Sequence, residues 1–171
     1  MGYTHYWYRP QEIEIQAMHD ILTDFDKVLP SIKKAMAHCN EEDGGGTLAG
    51  GDGKGRPVMT HDEVCFNGRA GNAHETFSFP RVMQLRRSDS MSQDEGRHFE
   101  FCKTAQKPYD IAVTAFLIIA KKHLGKKIKV SSDGNTVDWL EARSICQTAL
   151  GYGGKFFFLN EEDDSELVQV R

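Results

Sequence analysis

The chain lacks any apolar run long enough to cross a membrane. No stretch of 18 consecutive apolar residues occurs in it, whereas a spanning helix needs about 20. The apolar segment Ile111–Ala120 is too short and is expected in a core. Met1 is not followed by a basic region and an apolar segment, so no secretory signal is expected. These absences predict a cytoplasmic protein without membrane contact.

The chain also lacks closely paired cysteines. Its four cysteines are Cys39, Cys65, Cys102 and Cys146, and they form no C-x-x-C motif. Neither a zinc site nor a disulfide framework is therefore expected. No H-E-x-x-H motif occurs, and no carboxylate spacing typical of a Mg²⁺ or Ca²⁺ site. The sequence predicts reduced thiols, no metal and no cofactor.

An excess of positive charge is absent as well. The net charge of −4 disfavours a protein that binds nucleic acid through bulk electrostatics. The phosphate-binding motif G-x-x-x-x-G-K-[ST] fails around Gly53-Lys54, because Leu48 stands at its first glycine position and Gly55 at its last. The amides of residues 50–53 could still form an anion nest, and a flexible connector is the alternative.

What the chain does contain is the composition of an ordinary globular domain. Hydrophobic residues make up 39% and charged residues 27%, as is usual in soluble proteins, and 171 residues suffice for one core. We expect a single domain over residues 1–171, with a flexible glycine-rich loop at 43–56 and a polar loop at 86–96.

Hydrophobic periodicity predicts the order of the elements. Alternation predicts strands at 2–8, 63–67, 74–79, 98–104, 126–131, 156–159 and 167–170. Helical spacing predicts a helix after Pro10 that Pro30 interrupts and a second, short helix from Ser31. It also predicts a helix over Thr104–Leu124 and a helix over Val137–Leu150 that Gly151 closes. This order favours an α+β fold. We expect an antiparallel or mixed β-sheet of about five to seven strands with helices packed on one face, as a single pair of layers.

The N-terminal segment 2–8 is unusually aromatic for a chain end, which predicts a docked strand. Alternation gives this strand two different faces. One face carries Tyr3, His5 and Trp7, and the other carries Thr4, Tyr6 and Tyr8. One face must belong to the core, and the other is a candidate wall of a site.

The other predicted strands each carry an apolar face and a face of small polar residues. In 98–104, Phe99 and Phe101 are expected to mark the buried side. A solvated sheet face explains the polar residues, but histidine, threonine, serine, cysteine and asparagine are also the residues of a pocket. If these polar faces adjoin, His5 and His74 converge on one ligand.

His74-Glu-Thr76-Phe is an H-x-T pattern on a predicted strand. Present twice, this pattern is the signature of phosphoesterases in which paired imidazoles act as base and acid on a phosphodiester. No second H-x-T or H-x-S occurs in the chain, so a histidine that is hydrogen-bonded locally is the alternative. If the protein is an enzyme, we predict His5 and His74 as the acid–base pair.

Further side chains suit a phosphate-bearing ligand such as a nucleotide, because aromatic rings stack on bases and lysine attracts anions. The candidate ligand-binding residues are Tyr3, Tyr6, Trp7, Asn67, Thr76, Lys103, Tyr109, Ser131 and Asp133. The lysines of residues 121–129 form a basic segment. That segment is either a solvated surface or a surface that steers anions.

Several segments together carry a family resemblance. They are the opening Gly-Tyr-Thr-His-Tyr-Trp and residues 66–68, 74–77, 101–104, 108–110 and 131–134. From residue 2 to about residue 152, the chain resembles an uncharacterised family of small bacterial and phage proteins that begin with the same hexapeptide. The resemblance implies no particular reaction. Its phage members imply a role between phage and host, such as binding an immune signal or an immune protein.

Two functions follow as hypotheses. The first is a small soluble protein that binds a nucleotide or another phosphate-bearing small molecule, and either cleaves a phosphodiester without a metal or only sequesters the ligand. The alternative is a non-enzymatic protein-binding module, for example an inhibitor of a host defence complex. In that case the aromatic N-terminus or the acidic segment Glu161–Glu166 forms an exposed patch.

Overall fold

The computed structural model describes residues 2–38, 46–85, 93–94, 96–161 and 164–170. Its helices are α1 (Ile15–Ala37), α2 (Asp110–Leu124) and α3 (Leu140–Leu150). Its strands are β1 (Thr4–Arg9), β2 (Leu48–Ala49), β3 (Val58–Met59), β4 (Glu63–Gly68), β5 (Phe77–Pro80), β6 (Gln93–Asp94), β7 (Arg97–Lys103), β8 (Lys129–Ser132), β9 (Phe156–Glu161) and β10 (Asp164–Gln169). The predicted α+β class is confirmed.

The described strands form antiparallel sheets. The first has the order β6-β7-β1-β8, the second groups β2, β3 and β5 around β4, and the third is the β9–β10 hairpin. The sequence predicted one sheet of about five to seven strands. The strands divide because those around β4 pair with neighbours in sequence, whereas β1 pairs with the distant β7 and β8.

The core between the sheets and helices is largely aromatic. Five phenylalanine rings from two helices and two strands form a cluster, with centroid distances of 4.9–5.9 Å between neighbouring rings. They are Phe25 of α1, Phe66 of β4, Phe77 and Phe79 of β5, and Phe116 of α2. α2 is buried along most of its length, as its nearly continuous apolar sequence predicts. In the described part of the chain, no helix is both long enough and apolar enough to span a membrane.

β1 presents its inner face to this core. Trp7 lies against Phe77 and Phe79 of the second sheet, with ring centroids 5.4 and 6.5 Å apart. Arg9 is fully buried over the ring of Phe79 and pairs with Glu100, with 3.2 Å between Nε and Oε2. The face that carries Trp7 therefore joins the first sheet to the second.

β7 faces the opposite way from the sequence prediction. Phe101 is 53% exposed, whereas Cys102 is buried. β1 determines this orientation, because directly paired residues of adjacent strands point to the same face and the buried His5 is paired with Cys102. The prediction that Phe99 and Phe101 mark the buried side is therefore wrong.

α1 is continuous through Pro30, where the sequence predicted a break between a first helix and a second, short one. Pro30 lies on the exposed side of the helix, so the carbonyl of Asp26, which loses its helical partner, faces water. The apolar stripe from Ile21 to Met36 is buried on both sides of the proline. Burial of this stripe outweighs the cost of one missing hydrogen bond.

Two predicted loops and one predicted strand do not fully match the structure. Some of their residues have a different structure from the predicted one, and others lie outside the described residues. Within 43–56, the described residues form β2 and a tight turn in which the Gly50 amide donates to the Lys54 carbonyl at 2.7 Å, where a flexible loop was expected. In the strand predicted at 74–79, pairing begins only at Phe77. Residues 86–92 and 95 of the polar loop, Cys39, and residues 162–163 of the acidic segment lie outside the described residues.

The uninterrupted α1 makes a prediction about Pro30. Pro30→Ala restores an amide donor in an exposed helix interior, where proline is about 3 kcal/mol less favourable than alanine. The substitution also removes the restraint that proline places on the unfolded chain, which lowers stability by up to about 1 kcal/mol. We expect urea denaturation to show a free energy of unfolding higher by about 2 kcal/mol. The neighbouring control Ser31→Ala should change it by less than about 0.5 kcal/mol. A destabilised Pro30→Ala variant would contradict the continuous helix.

Candidate functional site

The inner face of β1 holds His5 in a closed hydrogen-bond network. The ring is fully buried, with Nδ1 2.9 Å from Ser132 Oγ and Nε2 2.7 Å from Asp110 Oδ1. The Thr104 hydroxyl also donates to Asp110 Oδ1. A carboxylate accepts but cannot donate, so Nε2 carries the hydrogen that bonds Asp110. The other ring nitrogen, Nδ1, is hydrogen-bonded with the Ser132 hydroxyl.

Aromatic rings and a tight turn enclose this network. The rings of Tyr3 and Trp139 meet the His5 ring edge-on, each with a centroid distance of 5.2 Å. The Gly134 amide donates to Ser132 Oγ at 2.9 Å. Gly134 itself lies so close to the Tyr3 phenol that a side chain there would collide with it. Both nitrogens of His5 thus have protein partners, and this arrangement ties β1 to β8 and α2.

The phenol of Tyr3 remains a neutral hydrogen-bonding group. Burial, with smaller contributions from the negative charges of Asp110 and Asp138, raises the pKa of Tyr3 to about 12. Because its ring packs edge-on against the His5 ring, the predicted ligand residue Tyr3 encloses the His5 network.

His74 lies in a separate arrangement from His5. Its exposed ring donates from Nδ1 to the Lys103 carbonyl at 2.7 Å. Its backbone is held on both sides by the buried amide of Asn67, which accepts from the His74 amide and donates to the His74 carbonyl. The Thr76 hydroxyl donates to the Gly51 carbonyl at 2.6 Å. In the contacts of the described residues, His5 and His74 share no partner, so their predicted joint catalysis stays a prediction.

Two predicted aromatic ligand residues lie in the core. Trp7 is buried and donates from Nε1 to Glu100 Oε2 at 2.9 Å. Tyr109 is buried and donates to the Glu75 carbonyl at 2.6 Å, and burial raises the pKa of its hydroxyl strongly. Protein atoms cover both rings.

The outer face of the first sheet brings other predicted residues together. Tyr6 is paired with Ser131 across β1 and β8, and its hydroxyl donates to Asp133 Oδ1 at 3.0 Å. The other carboxylate oxygen of Asp133 accepts from the Thr4 amide at 2.9 Å. Lys103 lies at the end of β7, opposite Thr4. The outer face therefore brings together three of the predicted ligand-binding residues, Tyr6, Ser131 and Asp133. In the described part of the chain, neither the His5 ring nor the His74 ring contacts this group.

Four aromatic rings cover this outer side of the sheet, and we call them the aromatic face. They are Tyr6, Tyr8, Phe99 and Phe101. Phe99 is at the centre, 6.1 Å from Tyr6, 5.1 Å from Tyr8 and 5.8 Å from Phe101 between ring centroids. The sequence predicted the two phenylalanines on the opposite side of β7, so only the strand pairing reveals this cluster.

A cavity of about 640 Å³ lies beside the Arg97 end of β7, and we call it the basic pocket. Its lining residues are Arg97, Lys121, Lys122, Gly125, Lys126, Lys129, Glu166, Val168 and Gln169. The buried Lys121 ammonium donates to Glu166 Oε1 and to the Ile128 carbonyl, both at 2.8 Å. The lysines are visible in sequence as a basic segment, but Arg97 joins them only through the fold.

A smaller cavity of about 160 Å³ lies near the opposite end of the sheet, with Asp110, Asp138 and Glu141 among its lining residues. Despite these carboxylates, no group of three or more histidine, cysteine, aspartate or glutamate side chains in the described ranges is placed to hold a metal ion. Its lining has three carboxylates and one lysine, Lys107, so the cavity is negative overall and unsuited to a phosphate-bearing ligand.

Comparison of the chain with protein-family models, with curated protein sequences and with solved structures found no match. The resemblance to the bacterial and phage family therefore stays a prediction. We base the function on the chemistry of the outer sheet face and of the basic pocket beside it.

The His5 network makes a stability prediction that two adjacent serines can test. Ser132→Ala removes the partner of a buried imidazole nitrogen and of the Gly134 amide, and such losses cost about 1–3 kcal/mol. We expect chemical denaturation to show that decrease in the free energy of unfolding. Ser131→Ala, on the outer face of the same strand, should change it by less than about 0.5 kcal/mol. Equal effects of the two substitutions would contradict the network.

Proposed function

We propose that the protein binds a phosphate-bearing small molecule, in the class of nucleotides, at the basic pocket. One observation carries this proposal: among the described residues, five cationic side chains and one carboxylate line a single cavity. The whole chain has a net charge of −4. Positive charge is thus concentrated at one place on an acidic protein.

Local structure accounts for part of this charge. Lys121 and Lys122 lie in the last turn of α2, where cations interact favourably with the helix dipole, and Lys121 is also paired with Glu166. Arg97, Lys126 and Lys129 come from β7, the segment after α2, and β8. The helix end does not explain why cations from these other elements line the same cavity.

The size and walls of the cavity also suit such a ligand. Small-molecule sites usually have volumes of about 300–1,000 Å³, and the basic pocket has about 640 Å³. Concave walls focus the field of the surrounding charges and so raise the local concentration of an anion. Guanidinium and ammonium groups are the usual partners of phosphate oxygens.

The proposal is for binding rather than cleavage. Neither His5 nor His74 is among the residues that line the basic pocket, and both nitrogens of His5 have protein partners. Sequestration of the ligand is the role that these observations support best.

Neighbouring lysines provide a matched test of the pocket. Lys126 lines it, whereas Lys127 is paired with Glu14 at 2.7 Å and lines a different cavity. We expect isothermal titration calorimetry with pyrophosphate and with nucleoside mono-, di- and triphosphates to detect salt-sensitive binding. Lys126→Gln should weaken it about fivefold, since an exposed ion pair contributes up to about 1 kcal/mol. Lys127→Gln should weaken it less than about twofold.

The same titrations can contradict the proposal in two ways. One is that no member of the anion panel binds. The other is that Lys127→Gln weakens binding as much as Lys126→Gln, because the effect would then reflect the net charge of the protein rather than the pocket.

A further inference from the structure

We infer that the ligand is a single-stranded oligonucleotide of at least two nucleotides, whose bases stack on the aromatic face while its phosphates lie in the basic pocket. This inference rests on the proposed function and extends it to a class of ligand. The aromatic face and the basic pocket meet at Arg97 and Lys129.

Strand register makes these two surfaces continuous. Side chains alternate along a strand, so Arg97 lies on the same side of β7 as Phe99 and Phe101. On β8, Lys129 is paired with Tyr8, which is paired with Phe99 on the other side. The cations of the pocket therefore adjoin the first row of rings.

The rings form two rows across the sheet. Tyr8 pairs with Phe99 in the row beside the cations, and Tyr6 pairs with Phe101 in the next row. The rows are two residues apart along the strands, which corresponds to about 7 Å. A nucleotide with its phosphate in the pocket can place its base on the nearer row. The farther row requires a second base.

The farther row of rings is partly exposed to solvent, which indicates that it binds another molecule. Phe101 is 53% exposed, and contiguous apolar patches on a protein surface mark interaction sites. Two other features select the chemistry of this partner. The neighbouring cations complement a polyanion, and RNA-binding domains stack two or three bases on aromatic residues of an open sheet face.

The net charge of the chain limits the length of nucleic acid that can bind in this way. At −4 the protein as a whole repels a long polyanion, so attraction is confined to the basic pocket and the adjoining rings. A segment of a few nucleotides fits this distribution better than extended duplex, whose bases are already stacked on one another and are not available to the rings.

A length series tests the inference with the intact chain. Binding of 5′-phosphorylated mono-, di-, tri- and tetranucleotides, as ribose and deoxyribose series, is measured by calorimetry. We expect the dinucleotide to bind about 5- to 150-fold more tightly than the mononucleotide, the range that one stacked base contributes. The two sugar series distinguish RNA from DNA as the source of the ligand.

Two phenylalanine variants locate the second base. Phe101→Leu keeps an apolar side chain but removes the ring, and should abolish most of the gain from mono- to dinucleotide, so that the two ligands bind the variant with nearly the same affinity. Phe157→Leu, at another exposed phenylalanine on β9, is the matched control and should preserve the gain. Thermal denaturation of both variants verifies that they are folded.

The outcomes separate this inference from the proposed function. Equal affinity for mono- and dinucleotides would overturn the inference and leave phosphate binding intact. A gain that survives Phe101→Leu would overturn the placement on the aromatic face. Failure of every nucleotide and of pyrophosphate to bind would overturn both, and would favour a protein partner for the rings.

Discussion

The double pairing of β1, with β7 on one side and β8 on the other, is the constraint on which the other features depend. It aligns His5 with Cys102 and with Ser132, so Trp7 and Arg9 point to the core and Tyr6 and Tyr8 point outward. A slip of one residue would exchange the two faces and expose the ring of Trp7. The hydrogen bonds of His5 to Ser132 and Asp110 reinforce the register, because they join β1 to two other elements from its buried face.

The same register separates two regions of opposite charge along the first sheet. Asp110 and Asp138 lie near the end where β8 finishes, beside the His5 network. Arg97 and Lys129 lie at the other end, where the basic pocket opens. In the binding mode that we propose, an anionic ligand is attracted to the end with Arg97 and Lys129 and avoids the end with Asp110 and Asp138. Because Phe99 and Tyr8 lie beside the attractive end, electrostatic attraction and base stacking can act on the same ligand.

The sequence predicts most of the fold and little of the candidate site. Apolar content correctly predicts the buried α2, and Gly151 correctly marks the end of α3, where it adopts the left-handed conformation that glycine favours. The orientation of β7 is not predictable in this way, because an exposed pair of phenylalanines has the same alternation as a buried pair. Pairing with β1 decides between them. The basic pocket has the same origin, since Arg97 meets the lysines only after β7 and β8 have aligned beside β1.

Amide chemical shifts in a ¹⁵N nuclear magnetic resonance titration locate the bound ligand on the protein. On addition of a 5′-phosphorylated single-stranded tetranucleotide, we expect shifts concentrated at Lys126, in residues 97–101 of β7 and in residues 129–131 of β8. Amides around Asp110, Asp138 and His74 should remain unshifted. If the shifts are concentrated at those three residues and residues 97–101 are unchanged, the ligand does not bind at the basic pocket and the aromatic face.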